Sequence, residues 1–170
     1  QLFGYEQVAK ADCEYPIDVC ETGKEKKSMK VIVCVDDCGG MMFNHRRQSQ
    51  DRVLKEDILN NLNGSRLWMN AYSAKMFLQE ENPLITVDED FLQKAQEEDF
   101  CFVENLPISA MEEKISEVIL YHWNRKYPSD QFFDLDLSEH WMRRETVEFP
   151  GSSHEKITKE SYLKYPPDII

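Results

Sequence analysis

The residues best placed to do chemistry in this chain cluster in one run, His45-Arg46-Arg47-Gln48-Ser49-Gln50-Asp51-Arg52, the densest cationic patch of an acidic sequence. It lies between the glycine-bearing segment Gly39-Gly40-Met41-Met42-Phe43-Asn44 and an amphipathic helical pattern. Guanidinium forks and the free N–H groups of a helix start both bind oxyanions, so the position suits a phosphate or a carboxylate. A solvated loop with Arg–Asp pairing accounts for the same residues. Gly39 and Gly40 allow positive φ and close backbone approach, which lets a loop fold over a ligand. A site built from Gly39, Gly40, Met41, Asn44, Arg46, Arg47 and Arg52 would hold a small anion rather than a long polymer.

Other motifs carry less. His45, His122, His140 and His154 are isolated, with no HxHxDH or HExxH pattern, so no metal centre is expected and a metal-dependent nuclease role is unsupported. Neither GxSxG nor GxxxxGK[ST] occurs. Ser152-Ser153-His154-Glu155 sets hydroxyl, imidazole and carboxylate side by side, but neighbours along a hairpin alternate in direction, and the segment reads as a turn. Cys13, Cys20, Cys34, Cys38 and Cys101 form no CxxC pair and read as reduced, structural thiols. A net charge of −12 opposes general attraction to nucleic acid or anionic membranes. No apolar run is long enough to span a bilayer, and a cytoplasmic protein is expected.

The elements that must position these residues alternate between strand and helix. Met29–Val35 holds five consecutive apolar residues and reads as a strand buried on both faces. Residues 51–62 space Val53, Leu54, Ile58, Leu59 and Leu62 as a helix, with Ser49 as its N-cap and Gly64 as its stop. Short strands are predicted over 66–69, 84–87 and 100–103, and helices over 71–77, 89–97 (capped by Asp88) and 107–117. A strand over 118–123 and a turn-rich passage over 130–137 follow. An antiparallel pair, 141–149 with 156–163, is joined across Pro150-Gly151-Ser152-Ser153. Trp68, Trp123 and Trp141 read as core. Residues 1–28 read as a tail or linker, or as a docking segment using Leu2, Phe3, Tyr5 and Tyr15; 29–165 is the domain and 166–170 a second tail.

From Met29 onward the order of elements and several local sequences resemble the dihydrofolate reductase fold family. Val31-Ile32-Val33-Cys34-Val35-Asp36 with Gly39-Gly40-Met41 and Asn44 looks like that family's first strand and mobile loop. Val118-Ile119-Leu120-Tyr121, Asp130-Gln131-Phe132-Phe133, Leu137-Ser138-Glu139-His140-Trp141, Glu148-Phe149 and Ile157-Thr158-Lys159-Glu160-Ser161-Tyr162 follow its closing strands in order. The resemblance implies a mostly parallel central α/β sheet flanked by helices and closing on a C-terminal antiparallel hairpin. It implies that Asp51, near the start of the first long helix, is the proton-relay acid, which must be buried enough for its pKa to rise. A first-turn acid favouring the helix dipole is the plainer reading of Asp51.

The same resemblance implies NADPH as cofactor, and here the residues depart from the pattern. The family's Leu-Pro-Trp signature before the acid is replaced by Arg46-Arg47-Gln48-Ser49-Gln50. The glycine pair after its short strand becomes Glu104-Asn105-Leu106-Pro107, a negative and bulkier lip. The Gly-Arg-Lys-Thr type helix start is matched only by Asn70-Ala71-Tyr72-Ser73, where Ser73 keeps the hydroxyl but Ala71 supplies no charge. Tyr121 falls where the family carries a threonine that supports the acid. Two functions follow: an NADPH-dependent reductase of a pterin-like or other small heterocycle, or a non-catalytic module on the same scaffold that holds an anion or partner through His45, Arg46, Arg47 and Arg52.

Overall fold

The computed structural model describes residues 28–165; the readings that fall on 1–27 and 166–170, including Cys13 and Cys20, lie outside the described residues. A seven-stranded sheet carries the fold. Strands β1 (Met29–Val35), β4 (Leu67–Met69), β5 (Ile85–Val87), β6 (Phe100–Phe102) and β7 (Ile115–His122) pair in parallel, and β9 (Trp141–Phe149) and β10 (Ile157–Lys164) complete it in the order β5-β4-β6-β1-β7-β10-β9. β10 runs antiparallel to both β7 and β9. A second sheet orders β3 (Arg46–Arg47), β2 (Gly40–Phe43) and β8 (Gln131–Phe132).

β1 is central because its side chains serve two cores. Met29, Val31, Val33 and Val35 join one buried cluster with Phe91, Val118 and Leu120. Ile32 faces the opposite cluster with Leu54, Ile58, Phe102 and Tyr121. The period of two along a strand sends alternate residues to opposite faces, and only a continuous apolar run satisfies both. On the second face lies α1 (Arg52–Asn60), contributing Leu54 and Ile58. Beside it run the short helix α2 (Ala71–Ala74) and a 3-10 turn, Lys75–Phe77. α3 (Phe91–Lys94) covers the first face through Phe91 and Leu92.

Several expected elements change character. The segment read as a mobile glycine loop is strand β2, joined to β3 by the two-residue turn Asn44-His45, both at positive φ as the right-handed twist of a hairpin demands. Residues 107–117 are not an α-helix. A 3-10 stretch, Ser109–Lys114, leads directly into β7, which opens at Ile115 because Ile115 and Val118 enter the first core. The N-cap of α1 is Asp51 rather than Ser49, and α3 is shorter than the apolar spacing suggested, with Asp88 accepting from the Asp90 N–H. Burial of Ile58, 1% exposed, generates a test: Ile58→Ala is expected to cost about 2–5 kcal/mol, seen as a lower urea midpoint at unchanged slope.

Candidate functional site: a buried carboxylate hub beside an arginine cleft

The head of α1 is held by Asp51. One oxygen of its carboxylate accepts from the Val53 and Leu54 N–H groups, capping the helix, and from the Ser152 N–H and hydroxyl. The other accepts from the Ser153 N–H at 2.8 Å, the Ser153 hydroxyl and His154 Nδ1 at 3.0 Å. Asp51 is 2% exposed. Burial by itself pushes such a carboxyl up, but the Ser152 and Ser153 N–H groups, the His154 ring and the Leu54 N–H outweigh it and hold the group well below the usual carboxylate range. Gly151 makes this approach possible, because a side chain there would collide with the carboxylate.

His154 continues the network. Its ring is buried and stacked on Trp123 with centroids 4.5 Å apart, and its Nε2 lies 3.2 Å from Ser49 Oγ and 3.0 Å from the Tyr127 hydroxyl. A second buried carboxylate, Asp36, closes the turn after β1. Burial raises it, and the N–H groups of Tyr127, Gly40 and Cys38 with the Ser129 hydroxyl bring it below its ordinary value. Gly40 is required there, since a Cβ would overlap Ser129 and Gln48.

A third group sits at the C-terminal ends of β1 and β6. Glu104 receives the forked guanidinium of Arg47, Nε at 2.8 Å and Nη2 at 2.9 Å, and the Ser73 hydroxyl at 2.8 Å. Arg47 also lies over the Tyr72 ring, 4.6 Å from its centroid, and its N–H donates to the Tyr72 hydroxyl. Asn70 caps α2 through the Ser73 N–H and donates to Asn105, while the Ala71 N–H donates to Glu89. Burial first and the nearby Glu104 charge second push the Cys34 thiol well above its usual range. On the outer side of Arg47 opens a cleft of about 340 Å³ lined by Phe43, Asn44, Arg46, Arg47, Gln48, Tyr127 and Pro128.

The sequence matches no protein-family model, and no curated protein matches it. Among solved structures it is similar to a dihydrofolate reductase from Enterococcus faecalis complexed with NADP(H) and RAB-propyl, with a TM-score of 0.61 and 11% identity over 82% of this chain and 97% of that one. The fold is dihydrofolate-reductase-like. At that identity the likeness establishes architecture alone, and the chain is a divergent example of it.

Within this dihydrofolate-reductase-like frame the sequence-predicted residues scatter. The cleft gathers Asn44, Arg46 and Arg47. Gly39 and Gly40 serve the Asp36 turn, and Met41 is core at 6% exposure. Arg52 reaches solvent and pairs with Glu56. Ser73 is spent on Glu104. Tyr121 supports an acid, but the acid is Asp57 within α1, which accepts from its hydroxyl at 2.5 Å and also meets Lys159 Nζ at 3.0 Å. Asp51 stands at the helix start as expected in an environment opposite to a proton relay's: its pKa is lowered, and donors surround both oxygens. Among the described residues no cluster of His, Cys, Asp and Glu could hold a metal, and no helix is long and apolar enough to cross a membrane. Sequence reasoning missed Glu104 as Arg47's partner, together with Tyr127 and His154. The carboxylate at position 104 was visible, but nothing local tied it to a residue 57 positions away.

Because the folded-state pKa of Asp51 lies below the unfolded value of about 3.9, its contribution to stability is complete above that pH and is lost as pH falls below it. Thermal melts between pH 7 and pH 2.5 should therefore fall steeply below about pH 4. Asp51→Asn should flatten that acid limb and cost about 2–4 kcal/mol at neutral pH. Breaking the Arg47–Glu104 pair by Glu104→Gln leaves a half-buried guanidinium unpaired and should cost about 3 kcal/mol in chemical denaturation, more than Arg47→Met with Glu104→Gln together.

Proposed function

We propose that this chain is a binding module on a dihydrofolate-reductase-like scaffold, taking a small anionic or heterocyclic ligand in the cleft beside Arg46, and that it does not operate as an NADPH-dependent reductase. One observation carries the reading: the chain's own carboxylates stand where the resemblance would put the cofactor's anionic groups. Glu104 closes the end of β6 with Arg47 and Ser73 already bound to it. At the head of α2, a helix of only four residues, the Ala71 N–H donates to Glu89 and the Ser73 N–H to Asn70. A phosphate approaching either point meets negative charge and donors already engaged. The residues present do not fit NADPH in its usual mode.

The same arrangement favours the cleft as the ligand's seat. Arg47 is neutralised by Glu104, which leaves Arg46 to meet an anion, and Phe43 and Tyr127 offer flat apolar surface to a ring. The Arg46 side chain makes no ion pair or hydrogen bond among the described residues. A working reductase is the second reading, favoured by the likeness to an enzyme structure that contains NADP(H). In that case Asp51 would have to deliver a proton from a position 2% exposed and saturated with donors.

Tryptophan fluorescence separates the two. NADPH and NADP at up to millimolar concentration should give no saturable signal, and dihydrofolate should not turn over. Folate, as an aromatic dicarboxylate probe, should bind saturably, and Arg46→Ala should weaken that binding about tenfold, roughly the worth of one charge-assisted contact, with the melting temperature unchanged. Saturable NADPH binding accompanied by dihydrofolate turnover would restore the reductase.

A further inference from the structure

The network around His154 has a use beyond holding α1 in place. We propose that Ser49, His154 and Asp51 form a nucleophile relay that gives this chain acyl-transfer reactivity toward small carboxylic esters. The three residues meet in the order that the chemistry needs. Asp51 Oδ2 lies 3.0 Å from His154 Nδ1, and Nε2 on the far side of the ring lies 3.2 Å from Ser49 Oγ. An ionised carboxylate cannot donate, so the proton between them sits on Nδ1 and the Nε2 lone pair faces the serine hydroxyl. The ring is fixed in that orientation by Trp123 stacked at 24° and by Tyr127 at its edge. The acid and the base are buried, whereas Ser49 is partly exposed, as a nucleophile must be.

The neighbouring cleft defines the substrate class. Gln48, which precedes Ser49, and Tyr127, whose hydroxyl shares Nε2 with it at 3.0 Å, both line the cleft that contains Arg46. An ester carrying a carboxylate or phosphate for Arg46 would place its carbonyl toward Ser49. Only this selectivity rests on the binding role proposed above; the serine chemistry does not.

In the step itself Ser49 Oγ bonds to the ester carbonyl carbon while its proton passes to His154 Nε2, and Asp51 stabilises the imidazolium. The bond from carbon to the leaving oxygen then breaks, and that oxygen takes the proton from Nε2. Water repeats the sequence on the acyl-serine, releasing the carboxylic acid and restoring Ser49. Tyr127 competes with Ser49 for the one lone pair, which holds the resting site in check.

The full chain treated with a fluorophosphonate should gain a single adduct by intact mass, mapped to Ser49 and absent in Ser49→Ala. His154→Gln should slow labelling about 100-fold. Tyr127→Phe, which frees the lone pair for Ser49, should speed it at least about twofold, an effect that a purely structural histidine would not produce. It also keeps the test decisive if circular dichroism shows His154→Gln to be unfolded. Mono-p-nitrophenyl succinate should be cleaved about tenfold faster than p-nitrophenyl acetate, the worth of one charge-assisted contact, with the preference erased by Arg46→Ala. No adduct, an adduct on another residue, or labelling unchanged by Tyr127→Phe overturns the relay. Labelling at Ser49 with equal turnover of the two esters supports the relay and refutes the cleft as the seat of an anion.

Discussion

The carboxylate of Asp51 is the constraint on which this architecture turns. It belongs to no sheet, yet it joins two parts of the chain that sequence keeps far apart: the head of α1, and the connection between β9 and β10 with its His154 imidazole. An ionised carboxylate in a dry site costs several kcal/mol unless its lone pairs are filled. Filling them requires the backbone at Ser152 and Ser153 to come within hydrogen-bond distance, and the absence of a side chain at Gly151 permits it. That contact ties the head of α1 to the β9–β10 connection, while Asp57 further along the helix meets Tyr121 of β7 and Lys159 of β10, and Leu54 and Ile58 enter the second core.

The same logic repeats at Asp36 and Glu104. Each is a buried carboxylate at the C-terminal side of the sheet, and each is satisfied by the chain itself. In parallel α/β sheets that side is where ligands usually enter, because strands end there and loops diverge. In this protein the ends of β1 and β6 on that side are closed by internal hydrogen bonds and one arginine–carboxylate fork. A dihydrofolate-reductase-like frame thus carries internally satisfied carboxylates at these strand ends. Open to solvent near these groups is the Arg46 cleft, and Ser49 is partly exposed.

Legibility in the sequence differed by the range of the interaction. The apolar run of β1 and the spacing of α1 were readable because burial imposes a period on neighbouring residues, and the hairpin of β9 and β10, with β9 almost wholly exposed, was marked by its Pro150-Gly151 turn. The 107–117 segment was misread as helical because its local pattern fits either state, and the demand of the sheet for Ile115 and Val118 settled it. The glycine segment looked like a loop because glycines usually mark one; pairing with β3 and β8 made it a strand.

Local pattern determined the alternation of strand and helix, the doubly buried strand and the position of an acid at the head of the first long helix, since each is written in residues close together along the chain, and the resemblance implied the mostly parallel sheet. Tertiary structure decided what that acid does. Its pKa direction depends on donors contributed from about a hundred positions away, and a hydrogen bond across such a distance leaves no periodic trace. The partner of Arg47, the acid met by Tyr121 and the alignment of Ser49 with His154 were settled the same way, by three-dimensional proximity that no local rule encodes.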